Sequence, residues 1–427
     1  MQRGTHTQPS SLRELIFDLA EDRLTPTQII EQSLERIAQA EPYIKAWVSI
    51  DADGARRQAA NQEKIDRRGA LWGVPVGIKD IIDVTGQRTG CGSVVRDGTI
   101  STTDADCITS LRSSSGIVLG KTVTTEFGYF APGPTRNPWN LEHTPGGSSS
   151  GSAAAVAAGM VPLAFGTQTA GSITRPAAFC GIAGFTTSTG EFSMKGITGL
   201  SPSLDSLGLL ASTVADLCCA WSALTGASRS DEDLAQPPRL MHWEGSCLGE
   251  IETDMISAVS AAMTRLSRDG ATVFDLEEDP LIQMLTGAQS TVMAYEACRE
   301  RSADREQLHL LSAPLIDLFA VGLAVTDDDY NAARASIATA RSYVFSRLEE
   351  CDAILGPAAL GAAPFGIAAT GNPVLSRPWQ ALGLPVVTIP GLRDSKGMPL
   401  GLQLIGKPRQ EQRLFAVARW IEIRLST

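Results

Sequence analysis

Apolar positions follow two textures along the chain. Near the start they recur every three to four residues. Ser11-Leu12-Arg13-Glu14-Leu15-Ile16 begins one amphipathic helix, and Thr25-Pro26 opens a second, with proline early, where a helix tolerates it. Residues 52–68 predict a third, very polar helix. From 73 to 190 the texture changes to Gly, Ser, Thr and Pro with short apolar runs between, which read as buried strands ending in functional loops. Helical periodicity returns at 207–224, residues 228–238 are polar and turn-like, and helices dominate from 250 to about 350 apart from a short strand near 271–276. Apolar runs at 352–357, 385–390 and 400–406, bounded mostly by Pro or Gly, predict further strands, and 410–425 predicts the last helix. Helix-like and strand-like stretches alternating over the whole length predict an α/β fold: a central, twisted, mixed sheet covered by helices on both faces. No internal repeat or long linker divides the chain.

Composition narrows the function classes. The 427 residues are 43% hydrophobic and 19% charged, with a net charge of -11 and no basic stripe, so no nucleic-acid partner is expected. The eight cysteines contain no CxxC pair, which argues against a zinc ribbon or redox dithiol and for reduced, buried thiols. Residues 1–11 are polar and lack the apolar core of a signal peptide, and the small-residue stretch 153–165 is interrupted by Gly159 and Pro162 and too short to span a bilayer. The expectation is a cytoplasmic enzyme with no membrane partner.

Several familiar signals fail. Gly116-Ile117-Val118-Leu119-Gly120-Lys121-Thr122 has three residues between its glycines where a phosphate loop needs four, so a buried strand is the better reading. The four histidines show no metal-ligand spacing. A thiol dyad of Cys180 with His143 is disfavoured because Cys180 sits in the apolar run Ala177-Ala178-Phe179-Cys180. Three clusters survive. Thr144-Pro145-Gly146-Gly147-Ser148-Ser149-Ser150-Gly151-Ser152 runs into an alanine-rich helix, which places N–H groups and hydroxyls where negative charge is stabilised. In Gly166-Thr167-Gln168-Thr169-Ala170-Gly171-Ser172, a serine follows small residues, as suits a nucleophile beside an oxyanion hole. In Gly73-Val74-Pro75-Val76-Gly77-Ile78-Lys79-Asp80, a lysine ends an apolar strand; on the residues alone, a base and a lysine in a buried ion pair with Asp80 or another acid are equal readings.

Together these clusters resemble the amidase signature family, with Ser148 and Ser172 at the family's spacing of 24 residues. Arg136-Asn137-Pro138-Trp139-Asn140, Ser203-Leu204-Asp205-Ser206-Leu207-Gly208, Arg377-Pro378-Trp379 and Pro399-Leu400-Gly401-Leu402-Gln403-Leu404 extend the likeness to most of the chain. Within the family, Ser172-Ile173-Thr174-Arg175-Pro176 looks most like the stand-alone bacterial, malonamidase-like amidases. The chain departs from the family pattern at Gln168, Ala170 and Thr186-Thr187.

The resemblance implies one amidase domain over 1–427, with a signature core at about 73–220 and a helical substrate-pocket region at about 250–380. It also implies a serine amidohydrolase. Ser172 would attack the carbonyl, Ser148, on a cis peptide after Gly147, would relay its proton, and Lys79 would be the base. The N–H groups of Thr169, Ala170, Gly171 and Ser172 would hold the oxyanion. Arg175 and Tyr129 are candidate substrate-binding residues, with a structural ion pair as the competing reading of Arg175. The expected partner is a small-molecule amide, with no metal or organic cofactor; a homodimer is left open. Two other functions remain: the glutamine-hydrolysing subunit of a tRNA-dependent amidotransferase, and a non-catalytic family member.

Overall fold

The computed structural model describes residues 11–65, 68–96, 100–227 and 234–425. Its first elements are α1 (Leu12–Ala20), α2 (Pro26–Ile44), β1 (Trp47–Ile50) and α3 (Ala52–Gln62). Local chemistry sets their starts. Ser11 accepts a hydrogen bond from the Glu14 N–H, and Thr25 and Gln28 cap α2 reciprocally, with Pro26 in its first turn. The glycine-rich middle forms β2 (Pro75–Lys79), α4 (Asp106–Ser113), β3 (Ile117–Thr122), α5 (Ser150–Ala157), β4 (Leu163–Gln168), α6 (Thr174–Cys180), β5 (Ala183–Thr186), β6 (Ser206–Ala211) and α7 (Val214–Thr225). Then follow β7 (Arg239–His242), α8 (Thr253–Arg268), β8 (Thr272–Asp275), α9 (Asp279–Glu300), α10 (Ala313–Ala324), α11 (Asp327–Leu348), β9 (Ala353–Pro357), α12 (Arg377–Leu382), β10 (Val386–Arg393), β11 (Pro399–Ile405) and α13 (Glu411–Leu425).

The strands form one 11-stranded sheet in the order β1-β3-β2-β4-β6-β5-β10-β11-β9-β7-β8. It is mixed: β3, β2 and β4 run parallel, as do β9, β7 and β8, and antiparallel pairs join these blocks. Side chains alternate between its faces. Val118, Leu163, Phe165 and Leu209 pack into one core with α7, α9 and α13, whereas Ile117, Leu119, Ala164 and Leu210 pack into another with α2, α3, α5 and α6. Helices therefore cover both faces, as the alternating pattern predicts.

Some elements differ from the sequence reading. The predicted helix over 207–224 is a strand, β6, followed by α7. The run from Leu207 to Ala211 is buried on both faces between β4 and β5, so it carries no alternation to mark it as strand. Thr213 then caps α7 by accepting from the Asp216 N–H. The short strands β1 and β7 were not expected. Within 228–238, residues 228–233 lie outside the described residues, as do 66–67 of the third predicted helix and 1–10 of the terminus read for a signal. No helix of the described residues is long and apolar enough to cross a membrane.

Two parallel neighbours, β2 and β4, set the position of the site. Ile78 is in register with Phe165, so both strands end at the same edge, in Lys79 and Gln168. The loop entering α5 and the loop leaving β4 converge above that edge. The α5 helix, Ser150–Ala157, is buried all round. Only small side chains allow such close approach: a Cβ on Gly151 would meet the Ala46 carbonyl at 2.2 Å and the Val123 N–H at 2.3 Å.

Candidate active site

Lys79 is the last residue of β2 and has no exposed surface. Its Nζ donates to Ser148 Oγ at 2.7 Å and to Thr167 Oγ1 at 2.9 Å. Burial pushes its pKa down to about 7, against the opposing pull of the Asp205 carboxylate. Asp80 is not its partner. That carboxylate turns away and forms a buried ion pair with Lys121 at 3.1 Å, so Asp80 is not an ion-pair partner of Lys79.

Ser148 is reached through a cis Gly147–Ser148 peptide bond. Ser148 and Ser172 are 4% and 8% exposed and line the same small cavity. Among the described residues, no hydrogen bond joins their two hydroxyls. The Lys79-to-Ser148 step is therefore formed, and the step to Ser172 is open.

The loop after β4 presents its backbone to the cavity. Thr169, Ala170, Gly171 and Ser172 all line it, and among the described residues none of their N–H groups donates to a protein acceptor. The next two N–H groups, of Ile173 and Thr174, are taken by Gln168 Oε1 at 2.9 and 3.1 Å. Gln168 thus performs by its amide oxygen an anchoring task open to any acceptor, while its Nε2 donates to Gln380 Oε1. Ala170 does not have a positive φ, so its Cβ is accommodated without backbone strain. The loop is braced by neighbours that sequence reasoning missed. Thr169 Oγ1 donates to Asp205, and Gln289 on α9 donates to the Thr169 carbonyl at 2.9 Å. Asp205 also accepts the N–H groups of Leu200 and Ser201, and burial raises its pKa to about 6. No local pattern around Gln289 marks it.

Arg175, in the first turn of α6, is 2% exposed. Its Nη2 donates to the Gly147 carbonyl at 2.6 Å and to Thr370 Oγ1 at 3.2 Å. Nε and Nη1 are buried without a partner, and among the described residues no carboxylate pairs with this guanidinium. Burial, and then the charge of Arg377, lower its pKa to about 9. The structural ion pair considered for Arg175 is not formed among the described residues. Tyr129 lines the cavity together with Gly128, Phe130, Met293, Thr370 and Arg377, so the 126–130 segment and the 280–380 region both reach it. Cys180 and His143 are not paired. The thiol donates to the Pro145 carbonyl, and His143 Nδ1 contacts the Ala363 carbonyl at 2.7 Å. Among the described residues, all eight cysteines are free and no group of three or more His, Cys, Asp or Glu side chains is placed to hold a metal ion.

A mixed α/β sheet whose parallel strand ends carry a buried lysine, a bonded serine and a serine loop with free N–H groups defines a class of serine-rich α/β site. Comparison with known proteins supplies the family. The Amidase family profile matches residues 28–415. A glutamyl-tRNA(Gln) amidotransferase subunit of Shouchella clausii (strain KSM-K16) is 30% identical over 96% of this chain and 95% of its own length. The corresponding amidotransferase subunit of Symbiobacterium thermophilum (strain DSM 24528 / JCM 14929 / IAM 14863 / T) is 32% identical, over 92% of each chain. A crystal structure described as an amidase superposes with a TM-score of 0.89 at 28% identity, covering 97% of this chain and 100% of that one. The native peptide amidase of Stenotrophomonas maltophilia follows at 0.80 and 26%, covering 97% and 96%. The chain belongs to the Amidase family.

Proposed function

We propose that this protein hydrolyses a small carboxylic amide to a carboxylate and ammonia or an amine, through an acyl-enzyme on Ser172. The observation that carries this reading is Lys79: wholly buried, 2.7 Å from Ser148, with no carboxylate bonded to it and a pKa of about 7. An ordinary lysine, with a pKa near 10.4, would need about 4.6 kcal/mol to be neutral at pH 7. Burial lowers that cost by bringing the pKa down to about 7.

The chemistry follows in order. Ser172 Oγ attacks the amide carbon while Ser148 takes its proton and passes its own to Lys79. The carbonyl oxygen becomes an oxyanion in reach of the free N–H groups of residues 169–172; donors fixed in place before reaction stabilise it without reorganisation. The tetrahedral intermediate collapses as the proton returns through Ser148 to the leaving nitrogen. Water, deprotonated by the same pair, then cleaves the ester and restores Ser172. Tyr129 and Arg175 line the acyl pocket, and the unpaired Arg175 donors suit an acceptor on the substrate. Among finer assignments, malonamidase-like chemistry, with an acid carried beside the amide, fits this pocket. The alternative, glutamine hydrolysis for a tRNA-dependent partner, is motivated by the names of the relatives at 30% and 32% identity. A screen for ammonia release from aliphatic, aromatic and carboxylate-bearing amides, run beside Ser172→Ala, tests the reading. Turnover that survives in Ser172→Ala refutes it, and glutamine hydrolysis only after co-purification with a second protein favours the alternative.

A further inference from the structure

One buried contact of α9 is poorly explained by packing. Gln289 has no exposed surface and shares a helix face with Leu285, Val292 and Met293. Its Nε2 donates to the Thr169 carbonyl at 2.9 Å, whereas its Oε1 is buried without a partner among the described residues. The reverse orientation of the amide would set Oε1 against a carbonyl oxygen, which fixes Nε2 as the donor. A buried amide met on one side only is a poor packing residue, since methionine or leucine would fill the position without an unmet acceptor. Docking of the helix does not require it either. Two turns along, Glu296 accepts from Ser201 Oγ, the Ser203 N–H and Ser203 Oγ, and so ties the same helix to the 201–203 loop.

The bond matters for what lies on the other side of the peptide. A trans peptide is planar, and its C=O and N–H point in opposite directions. Among the described residues the one cis bond is Gly147–Ser148, so the Thr169–Ala170 peptide is trans. Gln289 holds the C=O of that peptide. The N–H of the same unit belongs to Ala170, which lines the cavity and has no protein acceptor among the described residues. No backbone N–H among them bonds the Thr169 carbonyl, which leaves the Gln289 side chain as its donor. A bond donated to a carbonyl also polarises the peptide and strengthens its N–H as a donor. We propose that Gln289 is a positioning residue for the reaction: by holding the Thr169 carbonyl it aims the Ala170 N–H at the oxyanion and sharpens it as a donor. This inference rests on the hydrolase reading of the cavity and adds to it a residue from outside the loop, one that touches no reacting atom and acts through a single peptide unit.

The test uses butyramide as the probe amide and Gln289→Met as the variant, with Gln289→Leu as a second donorless replacement. In either variant kcat should fall about 10- to 100-fold while KM moves less than about threefold, because the oxyanion exists in the transition state and not in the bound amide. Inhibition by propyl trifluoromethyl ketone, which forms a tetrahedral adduct with a serine, should weaken by the same factor, and binding of butyrate should not change. Tm should move little, since the substitution removes one unmet buried acceptor as it creates another. Glu296→Gln is the comparison: it loosens the same helix and should lower Tm while kcat stays within about threefold of wild type. A kcat within about threefold of wild type in the Gln289 variants overturns the inference, and hydrolysis that still depends on Ser172 then leaves the hydrolase reading standing. Equal kcat losses in Gln289→Met and Glu296→Gln, each with a lowered Tm, overturn it too, by making Gln289 structural. A further measurement needs no turnover: in protein carrying isotope-labelled alanine, the Ala170 amide resonance should shift in Gln289→Met and not in Glu296→Gln. If butyramide hydrolysis persists in Ser172→Ala, the hydrolase mechanism fails, and that shift still supports the hold of Gln289 on the Ala170 N–H; an unmoved resonance overturns the inference.

Discussion

Lys79, bonded to the cavity-lining Ser148, and Arg175, in the cavity lining itself, are both buried basic side chains, and their surroundings differ. Lys79 has two hydroxyl acceptors, Ser148 and Thr167, and its pKa falls to about 7. Arg175 keeps two donors unmet, and Arg377 adds a second guanidinium to the cavity lining. Elsewhere in the sheet, Lys121 is also fully buried, but Asp80 stands 3.1 Å away. On the proposed mechanism the contrast gives buried basic side chains different uses. An amine with no carboxylate bonded to it can shed its proton and become a base, even against the pull of Asp205. An amine in a buried ion pair, such as Lys121 with Asp80, serves structure. A guanidinium holds its proton far more tightly than an amine.

The comparison can be broken in several ways. The largest effect is expected from Ser172→Ala and Lys79→Met, each lowering kcat/KM by about 10⁴-fold or more, with the double variant little worse than either, because groups acting as one unit lose activity non-additively. Two moderate losses that multiply would make Lys79 structural, like Lys121. Next in size, Asp80→Asn leaves Lys121 buried without its partner and should cost about 3–5 kcal/mol of stability in denaturant unfolding, as for other broken buried pairs. A loss no larger than a surface substitution would mean that Lys121 is neutral in the fold and not distinct from Lys79.

Arg175→Gln should lower kcat/KM for carboxylate-bearing amides by about 2–5 kcal/mol relative to neutral amides of the same length. Equal losses on both classes would assign Arg175 to holding the Gly147 carbonyl instead. The pH profile is the mildest probe. The folded pKa of Lys79, about 7, lies below its unfolded value, so the neutral base accumulates as pH rises. Rate should therefore climb roughly tenfold per unit below that point and level above it. The same shift means that protonated Lys79 weighs against folding at and below neutral pH, and that this weight fades as pH rises towards the unfolded pKa near 10.4. Lys79→Met should accordingly raise Tm most at and below pH 7 and least near pH 10. A flat rate profile with chemistry rate-limiting, or a Tm difference independent of pH, would remove the unpaired lysine from the comparison.

The sequence by itself determined the parts that local pattern encodes. Period-3.6 and short apolar runs mark α1, α2, β2, β3, β9, β10 and β11, because caps, glycine and proline act over a few residues. The Gly-Ser loops before α5 and after β4 were legible for the same reason: a close backbone needs small residues, and those residues are contiguous. The tertiary structure alone decided the rest. Nothing near Leu207–Ala211 separates a strand buried on both faces from a helical core segment, and only pairing with β4 and β5 settles it. Whether Lys79 or Lys121 takes Asp80 could not be read from two adjacent residues, since the choice depends on which side of the sheet each side chain leaves. The bracing of Thr169 by Asp205 and Gln289, and the meeting of Arg175 with Arg377, join residues 36, 120 and about 200 positions apart. Electrostatic character comes from distance and burial in space, and chain folding creates both after local pattern has finished its work.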